Sequence, residues 1–286
     1  MNDLRRYPIV TNAHDVGDVE VIIDITEPHP LGLIGDTYLL GTHRGVVVGP
    51  DHPIVSGLID VEVAQLVALG DREDEARQWL EQRGDTIWGV LLEGDDPVEL
   101  ENVLGLYRFT MRRRGDRGLR DLAVLLQRHI DDVSSEFRGV TGLDSTLQLA
   151  DLTTLDLTVH GSRTMRGRVE NLGRIVTIAG CAAIRAAQTD SMVIWAAMVN
   201  PMVNKFLGQV GVPKYELGYG ILEYKLTEQN TTPMQTMPIW GSIAELSEAA
   251  QHGATVQTAA IGVALERSGF AVAVPTSGQG QVSHDR

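Results

Sequence analysis

Residues 192–212, MVIWAAMVNPMVNKFLGQVGV, are the stretch whose reading decides the fold. Met192 to Val199 is a short apolar run, too short and too rich in β-formers for a helix, and it reads as a buried strand. Asn200 follows as a helix N-cap, and Pro201 takes the first helical position, where its missing N–H costs no hydrogen bond. The helix so predicted runs to about Val210, and Gly211 ends it as the C′ residue. A buried strand that passes straight into a capped helix is a unit of an α/β sheet.

Upstream, Thr154 to Val159 alternates strictly between apolar and polar residues and reads as a half-buried strand. Between these two strands, Val169 to Arg174 is expected to be extended, and Ile175 to Ala187 forms a helix of small residues. Further back, residues 86–92 and 103–110 make a hairpin around the turn signal Asp95-Asp96-Pro97. Gly45 to Gly49 is a β-like run, and residues 19–25 read as a strand. Residues 60–83 are helical in two pieces broken near Gly70, and residues 119–133 form a further helix. Downstream, Tyr215 to Leu226 holds one or two strands. The polar segment TTPMQTMPIW is expected to link these to a helical region at 242–267, and the last dozen residues to be disordered. The chain then divides into an N-terminal elaboration (1–84), a core (85–230), a C-terminal helical segment (231–274) and a tail (275–286). The pattern is that of a mixed α/β (α+β) protein.

Composition narrows the function. Of 286 residues, 43% are hydrophobic but only 5% aromatic, so Val, Ile, Leu and Ala must fill the core. The formal net charge of −14 repels phosphate backbones and argues against a nucleic-acid partner. No run of about 18 apolar residues appears, so no membrane span is expected and a cytoplasmic location follows as the default. A single cysteine, Cys181, permits neither an internal disulfide nor a multi-cysteine zinc site, and it sits among alanines as an inert buried thiol. The histidines lack ligand spacing, so no metal is expected. Arg112, Arg113, Arg114, Arg117 and Arg120 cluster, as do Arg163, Arg166 and Arg168. Such basic patches on an acidic chain suit a specific anionic ligand or partner, or a solvated loop paired with Asp116 and Asp121.

Several of these segments, taken together, resemble the GNAT superfamily of acyltransferases. Asn200 and the phrase Lys205-Phe206-Leu207-Gly208-Gln209-Val210-Gly211-Val212 match the Asn-led helix that follows the fifth GNAT strand. Pro213-Lys214-Tyr215-Glu216-Leu217-Gly218 is similar to the acyl-homoserine-lactone synthase and N-acyl amino acid synthase branch. So are Glu170-Asn171-Leu172-Gly173-Arg174 and Gly105-Leu106-Tyr107-Arg108. The resemblance implies a mixed, mostly antiparallel sheet flanked by helices. It implies transfer of an acyl group from a thioester carrier to the amine of an amino-acid-like substrate. The donor is an acyl carrier protein or coenzyme A, with no tightly bound cofactor, and the acceptor is a small amine.

By that resemblance Glu170 is the base, Arg108 and Arg174 bind a substrate carboxylate or orient the sheet, and Trp195 lines the substrate tunnel. Arg112, Arg113, Arg114, Gly115 and Asn200 hold the donor's phosphate or pantetheine, or dock an acidic carrier protein. Two departures stand out. Leu207 replaces the tyrosine that many acetyltransferases use as an acid, and Arg117 replaces a small residue of the usual phosphate loop. A non-catalytic self-assembling protein, a homo-oligomer among the options, and a ligand-binding regulatory domain on a degenerate GNAT-like fold remain open alternatives.

Overall fold

The computed structural model describes residues 32–68, 72–81, 86–111, 152–159, 165–190, 194–216, 221–224 and 234–272. The expected strand at 19–25, helix at 119–133 and C-terminal tail lie outside the described residues, as do Arg112, Arg113, Arg114 and Gly115.

The described chain builds β1 (Thr37–Leu40), β2 (His43–Val48), α1 (Ile54–Ala68), α2 (Glu73–Glu81), β3 (Thr86–Glu93) and β4 (Gly105–Met111). It continues with β5 (Leu152–Val159), α3 (Met165–Asp190), β6 (Ile194–Val199), α4 (Pro201–Gln209), β7 (Tyr215–Glu216) and β8 (Leu222–Tyr224). The last elements are β9 (Met234–Ser242), α5 (Ile243–His252) and α6 (Val256–Arg267). The strands form one sheet in the order β1-β2-β3-β4-β5-β6-β9-β7, with β8 also pairing to β9. Every pairing is antiparallel except β5 with β6, which run parallel across the α3 crossover. A parallel pair needs a long connection, and α3 supplies it.

Strand alternation sends side chains to two faces, each with its own core. On one face Val46, Val48, Trp88, Val90, Leu92 and Leu106 pack against Ile54, Val55 and Leu58 of α1. On the other, Val47, Leu91 and Tyr107 pack against α3, whose Ile175, Ile178, Ala182 and Ala186 are fully buried. The small side chains of α3 let this helix lie close to the sheet, with α6 and α5 packed beside it through Ile261, Ala264 and Leu246. At its far end Arg185 Nε donates to Asp36 Oδ2 at 3.1 Å and its guanidinium stands 4.3 Å over the Phe270 ring, so the chain after α6 is tied to β1. Among the described residues no helix is long and apolar enough to cross a membrane.

The local signals at 200–211 hold. Asn200 Oδ1 accepts from Met202 N–H at 2.8 Å, Pro201 opens α4, and Gly211 follows the C-cap Val210 at φ +73°, a conformation that only glycine adopts without strain. The hairpin appears as β3 and β4 in direct register.

Two expectations are corrected. Residues 169–174 are not extended: they belong to α3, which starts at Met165. Arg166 and Glu170 pair at 2.8 Å across one helical turn, a spacing that only a helix brings together. The β-like look of Val169 and Leu172 misled because burial of the following turns extends the helix back through them. The segment TTPMQTMPIW does not merely link two elements, since most of it is β9. Its Pro238 falls between the residues that pair with β8 and those that pair with β7, where a missing N–H does least damage to the ladder.

Candidate functional site

The sheet is opened at one place. β5 and β6 pair in parallel at Leu152 with Ile194, Thr153 with Trp195 and Thr154 with Ala196. Beyond Thr154 the two strands part. β5 stays on β4 as far as Val159, and β6 stays on β9 as far as Val199, with no described ladder pair between them. The facing edges of Leu155–Val159 and Ala197–Val199 therefore bring backbone N–H and C=O groups to a cleft that runs through the sheet. Unpaired strand edges of this kind accept an added extended chain.

Behind the cleft, on the α3 face, lies a small apolar cavity of ≈ 40 Å³. Trp195, Ala197 and Val199 of β6 form its floor, and Ala179, Gly180 and Ala183 of α3 face them. Leu207 of α4, Val212, Leu246 and Ile261 complete the wall. The small residues of α3 leave this room, because no side chain there is long enough to reach β6. Leu207 is buried in the wall and contributes only apolar surface.

Trp195 is 4% exposed, and its indole Nε1–H is buried with no hydrogen-bond partner among the described residues. It stands opposite Gly241 on β9, and a β-carbon at 241 would run into the indole ring. Asn200 sits at the open end of β6, its Oδ1 committed to capping α4.

Arg108 lies on the other face of the sheet, buried beneath α1. Its Nη1 is 3.5 Å from Glu62 Oε2, and its guanidinium stands 5.5 Å from the Trp88 ring centre. In the strand ladders Arg108 is flanked by Trp88 on β3 and by Asp156 on β5. Arg108 is thus separated by the sheet from the cavity that Trp195 lines.

Glu170 and Arg174 are on the first turns of α3. Asn171 Nδ2 of the same turns reaches the Leu104 carbonyl at 3.5 Å, next to Gly105, which pairs with Val159 at the open end of β5. Arg174 Nη1 donates to Asn171 Oδ1 at 2.9 Å. Glu170 faces solvent, and its hydrogen bond to Arg166 holds the carboxyl below the usual range. Arg174 also acts on His43, whose pKa is lowered first by burial and then by this neighbouring charge. The structure thus sets Glu170 and Arg174 in the first turns of α3, Asn200 at the end of β6, Trp195 in the cavity wall, and Arg108 across the sheet. Cys181 is fully buried, and burial pushes its thiol pKa far up, as expected of an inert core cysteine.

Sequence reasoning missed Ala179, Gly180, Ala183, Leu246 and Ile261 as cavity residues. The signal was present in the small-residue run of α3, but small residues serve close packing and empty space equally well.

The described residues form a mixed, mostly antiparallel sheet with one parallel, splayed β-α-β unit and helices on both faces, the architecture expected from the sequence. Among solved structures the chain is similar to FeeM, an N-acyl amino acid synthase from uncultured soil microbes, at 12% identity over 74% of this chain and 98% of that one, with a TM-score of 0.47. It is similar to the AHL synthase LasI at 10% identity over 70% and 90% of the two chains, TM-score 0.43. It is also similar to spermidine N-acetyltransferase from Vibrio cholerae in complex with CoA and spermine, at 7% identity over 70% and 96%, TM-score 0.40. No protein-family model and no curated protein matches the sequence. At these identities and TM-scores, strand order and register define the fold.

Proposed function

We propose that this chain is an acyltransferase that moves an acyl group from a thioester carrier to the amine of an amino-acid-like substrate. The observation that carries this reading is the parting of β5 and β6 after Thr154 and Ala196, with the apolar cavity directly behind it. A pantetheine arm, which is an extended chain of amides, hydrogen-bonds to the open strand edges as an added strand does. The acyl chain then leaves water for the cavity, gaining ~25 cal/mol per Å² of apolar surface buried. Backbone N–H groups released from the ladder are donors for the oxyanion that forms when the amine attacks.

In the reaction the amine nitrogen bonds to the thioester carbon, the C–S bond breaks, and the thiolate takes up a proton. A base removes the proton of the attacking ammonium. Glu170 is our candidate, acting through water from the mouth of the cleft. Its pairing with Arg166 keeps it ionised and also makes it a weak base. Arg174 is assigned to the acceptor carboxylate, and Arg108, held by Glu62 and Trp88, to orienting β4 beside β5. Arg112, Arg113, Arg114 and Gly115 are assigned to the donor, either the coenzyme A diphosphate or an acidic carrier protein, in the cytoplasm.

The test is turnover. Purified protein is given hexanoyl-coenzyme A or hexanoyl-carrier protein with a panel of amino acids, and products are read by mass spectrometry. Acylated amino acid, reduced about a hundredfold in Glu170→Gln, supports the reading. A carrier-protein donor shows itself by activity that falls steeply with salt. Failure of both donors with every amine offered would sink it.

A further inference from the structure

The helices α3, α4 and α6 all begin beside the mouth of the cleft. β5 and β6 run parallel, so α3 and α4, which follow them, start at the sheet edge where the strands have parted. α6 joins them there: Gln257 Nε2 donates to the Gly173 carbonyl of α3 at 2.9 Å, and Thr255 Oγ1 donates to the Gly211 carbonyl behind α4 at 3.5 Å. A β-carbon at Gly173 would stand 3.9 Å from Phe206 Cζ, so α4 also meets α3 at this point. Met202, Phe206 and Val210 follow one another at one-turn spacing along α4 and its C-cap, toward Val256 at the start of α6. Val169 lies one turn before Gly173 on α3. Val169 is 47% exposed, Met202 77% and Val256 89%, and Phe206 and Val210 are half-buried. Single exposed apolar residues are ordinary, but an apolar stripe shared by neighbouring helices marks an interaction surface.

The charge of this face is opposite to that of the whole chain. Residues 165–174, 200–211 and 255–265 carry Arg166, Arg168, Arg174 and Lys205 against the single carboxylate of Glu170, in a chain of net charge −14. The helix starts add partial positive charge of their own. The occupant that fits is anionic and apolar at once. A second copy laid face to face would set these cations against one another. A folded partner needs a hollow shaped to each protruding side chain, whereas lipid closes around any of them. We infer that this face docks on an anionic lipid surface, with Val169, Met202 and Val256 entering the acyl boundary and Arg166, Arg168 and Lys205 among the headgroups. The mouth of the cleft then lies beside an apolar phase.

Vesicle flotation with the full-length chain tests this. One set of vesicles is phosphatidylcholine alone, and the other is equal parts phosphatidylcholine and phosphatidylglycerol. The protein should float with the mixed vesicles about tenfold more tightly than with the neutral ones, and added salt should weaken that binding. The double variant Met202→Glu with Val256→Glu should bind the mixed vesicles at least about tenfold less, and Lys205→Gln about fivefold less. Val67→Glu, an equally exposed change on α1 across the sheet, should bind as the wild type does. Thermal unfolding confirms that the variants, all at exposed positions, remain folded. Failure of the wild type to float with the mixed vesicles overturns the inference, and so does equal binding by the double variant. Capture of an acidic acyl carrier protein that the double variant loses, with no vesicle binding, also overturns it and gives the face to a protein partner. None of these outcomes touches the acyl-transfer reading, because turnover of soluble thioesters does not require the stripe.

Discussion

Gly241 on β9 faces Trp195 on β6, and the indole occupies the space that any side chain at 241 needs. The pair fixes the floor of the cavity from below. Gly241→Ala must displace the ring or bend the strand, so it should cost about 1–3 kcal/mol of stability, as overpacking of a filled core does. Urea unfolding of the two proteins measures this. A cost near zero means that the ring moves freely.

Filling the cavity separates stability from ligand binding. Ala183 is 1% exposed and faces the void, so Ala183→Leu should leave stability unchanged or raise it by up to about 1 kcal/mol. The same change should lower affinity for a hexanoyl thioester by about tenfold or more. Thermal unfolding and calorimetry on one preparation give both numbers, and a loss of stability above about 1 kcal/mol means that the space is not available in solution.

The buried pair of Arg108 and Glu62 predicts strong non-additivity. Arg108→Met leaves an acidic side chain buried beneath α1 and should destabilise the fold by about 3–5 kcal/mol. Adding Glu62→Leu should recover most of that loss, because two apolar side chains need no partner there. A double-mutant cycle in urea reads the coupling, and additive costs mean that the two residues act separately.

His43 carries a pH signature. Its pKa in the folded protein is lowered, by burial first and by Arg174 second, with Glu93 opposing. The unfolded chain therefore binds more protons than the folded one between the folded pKa and the ordinary value of about 6.5. Stability should fall as pH drops through that window and level off below it. Arg174→Ala should raise the His43 pKa toward its ordinary value, which proton NMR of the imidazole follows directly.

Much of the local structure was legible in the sequence because its causes lie within a few residues. The cap formed by Asn200, Pro201 at the head of α4, the positive φ of Gly211 and the β3–β4 hairpin are each set by neighbours in the chain. The helix at 165–190 was legible only in part. Val169 to Arg174 look β-like when read alone, and the contact of Asn171 with Leu104 that holds this end spans 67 residues.

The sequence by itself determined the β3–β4 hairpin, the strands at 154–159 and 194–199, the capped helix that follows the latter, and that small residues line α3. Tertiary structure alone decided where β5 and β6 part, because that depends on the register of strands some forty residues apart with different outer partners. It also decided that the small residues of α3 leave a cavity, since a void is a mismatch of volumes among α3, β6, α4, α5 and α6 together. And it alone set Glu170 in solvent, Arg108 under α1 and the Trp195 N–H without a partner among the described residues: a residue's type states which bonds it can make, and only its packed neighbours decide which of them are made.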